Sequence, residues 1–285
     1  MTRTELDSVL GGNDLDKKIK VSACIVTYNN VKYIETAVAT FLDSVQAENI
    51  DVRLYVFDNG STDGTVELLR EKFENNPKYS ARFKLTETGE NIGFGAAHNL
   101  ILPILDSEFE SDYHCVVNPD IVIRDDIICK MVSFMELPEN AGVNQLSPRI
   151  CFPDGRNQIL GKRNPHFKYL VASRMRNESE PSDLLREYAM LDADYSKPFE
   201  IENATGCFMF FRTEKFKEIG GFDKRYFMYF EDCDITREMS KTGKVLFFPD
   251  AIVYHVWARD SKRNTKLKII HITSMFKYFL KWRTF

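Results

Sequence analysis

Three acids fall within four positions at Glu231-Asp232-Cys233-Asp234, directly after the aromatic run Tyr226-Phe227-Met228-Tyr229-Phe230. A short distance on come Tyr254-His255-Val256-Trp257. Apolar arms on both sides can hold the acids at a rigid place, where one carboxylate can act as a base. The acids begin an expected helix running to Met239. At about 100° per residue, Glu231 and Asp234 share one face and Asp232 points elsewhere. Acids also favour helix N-termini for electrostatic reasons alone. Far upstream, Asn118-Pro119-Asp120 closes an apolar run. Two carboxylate sites on one scaffold point to a metal-bound phosphate facing a proton acceptor.

The remaining polar candidates each have two readings. Asp58 opens Asp58-Asn59-Gly60-Ser61-Thr62-Asp63-Gly64-Thr65. A carboxylate there can accept the N3–H of a pyrimidine, and the same residue types also simply make turns. Asn91-Ile92-Gly93-Phe94-Gly95 places glycines before a helix, where backbone can approach a phosphate or ribose closely. Asp120 suits a hard cation such as Mg2+ or Mn2+, which takes few protein oxygens and uses substrate phosphates for the rest. A turn containing Pro119 is the plainer reading. His255 lies among valines, so it is either a core histidine or a ligand of the kind Mn2+ accepts.

Alternating strands and helices must position these groups. Val21–Thr27, Val52–Phe57, Phe83–Thr86 and Tyr113–Val117 read as buried strands, the first closed by Tyr28-Asn29-Asn30. Ile34, Val38, Phe41 and Val45, and then Val66, Leu69 and Phe73, recur at helical spacing, and a further short helix runs through Leu105. This is an α/β pattern with a mostly parallel, Rossmann-like central sheet flanked by helices. Ligands bind outside the carboxyl ends of such strands. Thr27, Asp58, Asn91 and Asp120 all fall at or just beyond those ends and are expected to share one crevice. Residues 151–200 show no steady period and read as a hairpin with mobile loops. Gly206–Phe211 reads as a strand and Thr213–Ile219 as a helix stopped by Gly220-Gly221. Val245–Phe248 and Ile252–Tyr254 read as two short strands.

The 285 residues are 44% hydrophobic, enough for a sizeable core, and the net charge of −4 argues against nucleic acid as a partner. The six cysteines form no CxxC pair and read as buried hydrophobes in a reducing compartment. No apolar run approaches a membrane span, and the polar start has no signal-peptide pattern. The expected organisation is a loose leader over 1–18, one domain over 19–260 and a basic amphipathic helix over 261–285. The domain divides into a nucleotide-binding half to about 122 and an acceptor-facing half from about 123. In the tail, Lys262, Arg263, Lys266, Lys268, Lys277, Lys281 and Arg283 surround an apolar stripe at Ile272, Met275, Phe276 and Phe279. Such a helix either lies on an anionic membrane surface or packs on the body.

Taken jointly, these motifs resemble the inverting family 2 glycosyltransferases of GT-A fold. The matched pieces are Val21–Asn30, Val56–Thr65, Asn91–Asn99, Asn118–Asp120, Gly220–Asp223 and Tyr229–Asp234, in that order. The Asn-Pro-Asp and Asn-Ile-Gly-Phe-Gly forms resemble the rhamnosyltransferase-like subgroup, which typically uses dTDP-L-rhamnose. The resemblance implies that Thr27, Asn29, Asp58, Asn91 and Gly93 hold the nucleoside, and that Asp120 and His255 hold a divalent cation on the diphosphate. Asn118 stands where the family has its first acid, so metal binding rests on Asp120. The resemblance further implies Asp232 as the general base, with Gly206, Glu231 and Trp257 at the bound substrates. The acceptor is expected to be a glycan or lipid-linked glycan in surface polysaccharide synthesis. The protein would then be cytoplasmic, with peripheral contact to the inner membrane face, and a homo-oligomer is left open. A sugar nucleotidyltransferase and a non-catalytic nucleotide-binding scaffold are the alternatives. After Thr27 the chain offers Tyr-Asn-Asn rather than the Gly-rich basic loop of the former, and it keeps Asp232, which the latter could lose.

Overall fold

The computed structural model describes residues 18–174, 180–256 and 265–284. Most of the expected leader, the expected substrate contact Trp257, and Lys262 and Arg263 of the tail lie outside these residues.

Four strands rich in β-branched residues form the first half of the sheet: β1 (Ile19–Thr27), β2 (Ile50–Asp58), β3 (Phe83–Glu87) and β4 (Tyr113–Val117). The pairings among these four are parallel, and β1 sits between β2 and β4. Parallel neighbours need crossovers, which α1 (Ile34–Ser44), α2 (Thr65–Leu69), α3 (Phe94–His98) and α4 (Leu102–Ser107) supply. Helix α1 turns Ile34, Ala37, Val38, Phe41 and Leu42 onto the sheet. Each such buried side chain contributes about 1.5–3 kcal/mol.

The second half is mixed. It contains β5 (Ile121–Ile123), α5 (Ile127–Glu136), β6 (Val143–Cys151), α6 (Phe167–Arg174), α7 (Asp183–Tyr188), β7 (Phe199–Glu200), β8 (Phe208–Arg212), α8 (Thr213–Glu218), α9 (Glu231–Met239), β9 (Lys244–His255) and α10 (Thr265–Trp282). One sheet runs through both halves in the order β3-β2-β1-β4-β8-β6-β9-β5, with β7 paired to β9. Strand β8 joins β4 antiparallel, so the sheet changes sense at the middle of the molecule.

Three readings change. The two short strands at 245–254 are one strand, β9, whose register against β6 jumps between Pro148 and Arg149 so that residues 249–251 bulge out. Residues 151–200 are not a simple hairpin: they carry α6 and α7, and their loops wrap back onto the end of β9. The tail helix is docked. Its apolar positions divide, Phe279 being buried and Met275 half-buried, whereas Ile272 and Phe276 face out.

Candidate active site

The parallel register places Thr27 directly beside Asp58 at the carboxyl ends of β1 and β2. Both are buried. One Asp58 oxygen accepts the backbone N–H groups of Gly60 and Ser61, at 3.1 and 2.8 Å. The other oxygen, Oδ1, and the Thr27 hydroxyl are buried with no hydrogen-bond partner among the described residues. Buried polar atoms are normally satisfied, so two orphans side by side at a strand end mark where a polar ligand would complete the set.

Asn29 and Asn91 both tie together loops at the strand ends. Asn29, at φ 55°, accepts the Thr62 N–H through its side chain at 2.8 Å and donates its own N–H to Ser61 at 2.8 Å, tying the first two strand-end loops together. The Asn91 side-chain oxygen accepts the Gly93 N–H and an N–H of the buried Asn59 amide. Asn59 in turn accepts from Ile92 N–H at 3.1 Å. Asn59 is thus the staple of the glycine loop. At Gly93, φ is +90° and a Cβ would meet the Phe227 carbonyl oxygen at 2.5 Å, so a side chain is excluded. Asn99 holds the same loop's helix to Phe222, donating to its carbonyl at 2.7 Å and accepting its N–H at 2.8 Å.

The metal-type pair follows from strand pairing. Antiparallel register sets Ile121 opposite His255, which brings Asp120, one residue earlier, against the imidazole. Nε2 lies 3.4 Å from the Asp120 carboxylate. Burial opposes protonation of His255, but the Cys207 thiol and Asp120 outweigh it and push its pKa up to about 10. Nearby, the Asn118 side-chain oxygen is buried with no hydrogen-bond partner among the described residues. An oxygen, a carboxylate and an imidazole fit an octahedral cation that completes its shell with diphosphate oxygens and water. Among the described residues no group of three or more His, Cys, Asp and Glu side chains is placed to cage a metal alone.

Asp232 reaches the same place from the other half of the chain. Asn118 N–H donates to the Cys207 carbonyl at 2.9 Å, and Gly206 N–H donates to Asp232 Oδ2 at 3.0 Å. A Cβ at Gly206 would sit 3.0 Å from the Asp232 Cβ. The Gly206-Cys207 dipeptide therefore lies between the Asn118–Asp120 turn and the carboxylate of Asp232. As helical geometry requires, Glu231 and Asp234 are buried and Asp232 is half-buried. Burial, reinforced by the charge of Asp232, holds the Glu231 carboxyl well above its usual range.

Asp234 is an anchor. It accepts from Tyr226 hydroxyl at 3.2 Å, Lys281 Nζ at 2.8 Å and Trp282 Nε1 at 2.7 Å. Two of these donors come from α10. The turn before α9 has left-handed φ at both Tyr229 (71°) and Phe230 (68°), a strain of order 1 kcal/mol per residue that surrounding packing must hold. The rings of His271 and Tyr278, also on α10, pack on Phe230 at 5.3 and 5.5 Å.

A parallel half sheet flanked by helices, continued by antiparallel strands and with polar groups at its carboxyl ends, is the frame of the GT-A fold. Solved structures of that fold superimpose on it. A mannosyltransferase from Pyrobaculum calidifontis in complex with GDP-Man and Mn2+ matches with TM-score 0.60 over 98% of this chain and 70% of its own, at 17% identity. GalNAc-T7 with UDP, GalNAc and Mn2+ matches with TM-score 0.61 at 14% identity, over 84% of this chain and 44% of its own. In sequence, residues 22–220 match Glycosyl transferase family 2. An N-acetylglucosaminyl-diphospho-decaprenol L-rhamnosyltransferase of Mycobacterium tuberculosis is 28% identical over 84% of this chain and 76% of its own length. Rhamnosyltransferase WbbL of Escherichia coli is 25% identical over 69% of this chain and 73% of its own. The chain belongs to glycosyltransferase family 2, and it is a glycosyltransferase.

Proposed function

We propose that the protein transfers L-rhamnose from dTDP-L-rhamnose to a hydroxyl of a glycan or lipid-linked glycan, with inversion at the anomeric carbon. The observation that supports this reading is the Gly206-Cys207 dipeptide, whose backbone links the Asn118–Asp120 turn to the Asp232 carboxylate.

Thr27 and Asp58 offer the unpaired acceptor and hydroxyl that a pyrimidine nucleoside would satisfy, and the glycine loop gives its ribose close backbone approach. A divalent cation held by Asp120 and His255 would neutralise charge on the diphosphate. Asp232 takes the proton of the attacking hydroxyl as the new C–O bond forms, so no covalent intermediate is required. Binding both substrates together converts a bimolecular step into an intramolecular one. Glu231, buried beside Asp232, has a carboxyl whose ionisation burial opposes.

The choice of sugar rests on the relatives named above, and so does a lipid-linked acceptor. Peripheral membrane contact is supported by α10, which turns Ile269, Ile272, Phe276 and Leu280 outward, Leu280 being 67% exposed. The exposed Lys266 and Lys268 lie on the same helix. No helix among the described residues is long and apolar enough to cross a membrane. Ile272→Asp with Phe276→Asp should reduce co-sedimentation with anionic vesicles while leaving the fold intact; unchanged co-sedimentation removes the membrane contact.

The reading is tested by incubating the protein with a panel of nucleotide sugars and a lipid-linked glycan acceptor. Release of a nucleoside diphosphate, fastest from dTDP-L-rhamnose, is the expected result. A UDP-hexose used at least tenfold faster would overturn the donor, and nucleoside monophosphate with pyrophosphate would mark a nucleotidyltransferase.

A further inference from the structure

Lys162 is a buried cation without a counter-charge. Its side chain is 4% exposed, yet among the described residues it has neither an ion pair nor a side-chain hydrogen bond. Its one close partner is the face of Phe247, 5.0 Å from the ammonium. A cation–π contact of this kind offsets only part of the desolvation of an ammonium. Burial accordingly pulls the Lys162 pKa down to about 8, against a smaller opposing charge effect of Cys207.

The backbone fixes Lys162 where it stands. Its N–H donates to the Tyr188 carbonyl at 2.8 Å, and its own carbonyl accepts from Glu202 and Asn203. A Cβ on the preceding Gly161 would fall 2.1 Å from the Tyr188 ring, so the chain presses directly against α7. Four residues earlier, Gln158 donates to the His255 carbonyl at 2.9 Å. The segment therefore runs beside the end of β9, and Cys207 acts electrostatically on both Lys162 and His255.

We propose that Lys162 is a diphosphate-binding cation of the donor site, acting on the leaving group beside the metal pair. This inference rests on the glycosyltransferase reading above. In the transfer step the acceptor oxygen bonds to the anomeric carbon and its proton passes to Asp232. The bond from that carbon to the β-phosphate oxygen breaks, and its electron pair stays on that oxygen. An ammonium in contact with the diphosphate is worth more as that charge grows, so it favours the transition state over the bound donor. The bound diphosphate would also supply the counter-charge that Lys162 lacks in the protein alone.

The test compares dTDP with thymidine by calorimetry in the presence of Mn2+, on the full chain. Lys162→Met should weaken dTDP roughly 10- to 100-fold, the value of one charge-assisted contact, and leave thymidine affinity unchanged. Lys162→Arg should keep dTDP within a few-fold. Because Lys162→Met removes an unpaired buried charge, it should melt at the wild-type temperature or higher. Equal dTDP affinity in Lys162→Met, an equal loss for thymidine, or a variant too unstable to assay would each overturn the proposal, the last because it describes a structural lysine. Wild-type protein that binds neither ligand would instead overturn the nucleotide-donor reading and this inference with it.

Discussion

The two halves of the molecule build their share of the crevice in opposite ways. In the first half, Thr27 and Asp58 are placed by parallel strand register, and their loops are held by neighbouring amides and hydroxyls. In the second, Asp232 is placed by contacts from distant chain: Gly206 on one side, and through Asp234 the donors Tyr226, Lys281 and Trp282. Strand ends are inexpensive places to present a rigid polar group, because the sheet already fixes the backbone. Asp232, the proposed base, sits instead on a short helix behind a strained turn, and it needs a separate brace. Helix α10 is that brace on its inner face, whatever its outer face touches.

The sharpest break in this comparison is expected at the base itself. Asp232→Asn should lower turnover by roughly 10²–10⁴-fold while leaving nucleotide affinity within a few-fold, since the amide keeps the Gly206 hydrogen bond but cannot take a proton. Steady-state rates with a parallel nucleotide titration measure both; near-normal turnover would move the role to Glu231. A smaller effect, with the opposite signature, belongs to the metal pair. Asp120→Ala should weaken Mn2+ and donor binding by about 10- to 100-fold, and chelator should mimic it. Here the pH dependence has a definite sign. His255 has a raised pKa, so its proton stabilises the metal-free fold at low pH and that contribution is lost as pH rises through about 10. A metal must displace that proton, so Mn2+ affinity should climb with pH over the same range, with proton release seen in buffers of different ionisation enthalpy. Affinity independent of pH would remove His255 from the ligands. The smallest effect tests the brace. Lys281→Met should destabilise the fold by about 1–3 kcal/mol by leaving Asp234 short of a charged partner; unchanged denaturant unfolding would mean that α10 does not anchor α9.

Legibility in the sequence divides along the same line. Val21–Thr27 and Val52–Phe57 announce themselves by β-branched runs, and their ends carry the polar residues that meet in space. The division of labour at Glu231-Asp232-Asp234 also follows from helical angle alone. Asn59 and Asn99 were hidden because an amide in a turn looks the same whether it binds a ligand or another loop. Asn29 and Asn91 carry the same ambiguity: their side-chain oxygens accept N–H groups of neighbouring loops, and their contact with a nucleoside is a proposal. Lys162, Gln158 and Tyr188 lie in a segment without period, since loop backbone rather than a helix or strand face holds them. The docking of Trp282 on Asp234 spans 48 residues of sequence, and no local pattern announces such a contact.

The central claim is a single displacement with one base and no covalent intermediate. Its most direct test is the anomeric configuration of the product, read from the one-bond C1–H1 coupling of the transferred sugar and compared with that of the nucleotide sugar consumed. Inversion is the result this account predicts. Retention would require a second displacement or a different chemistry at C1, and would contradict the role given to Asp232.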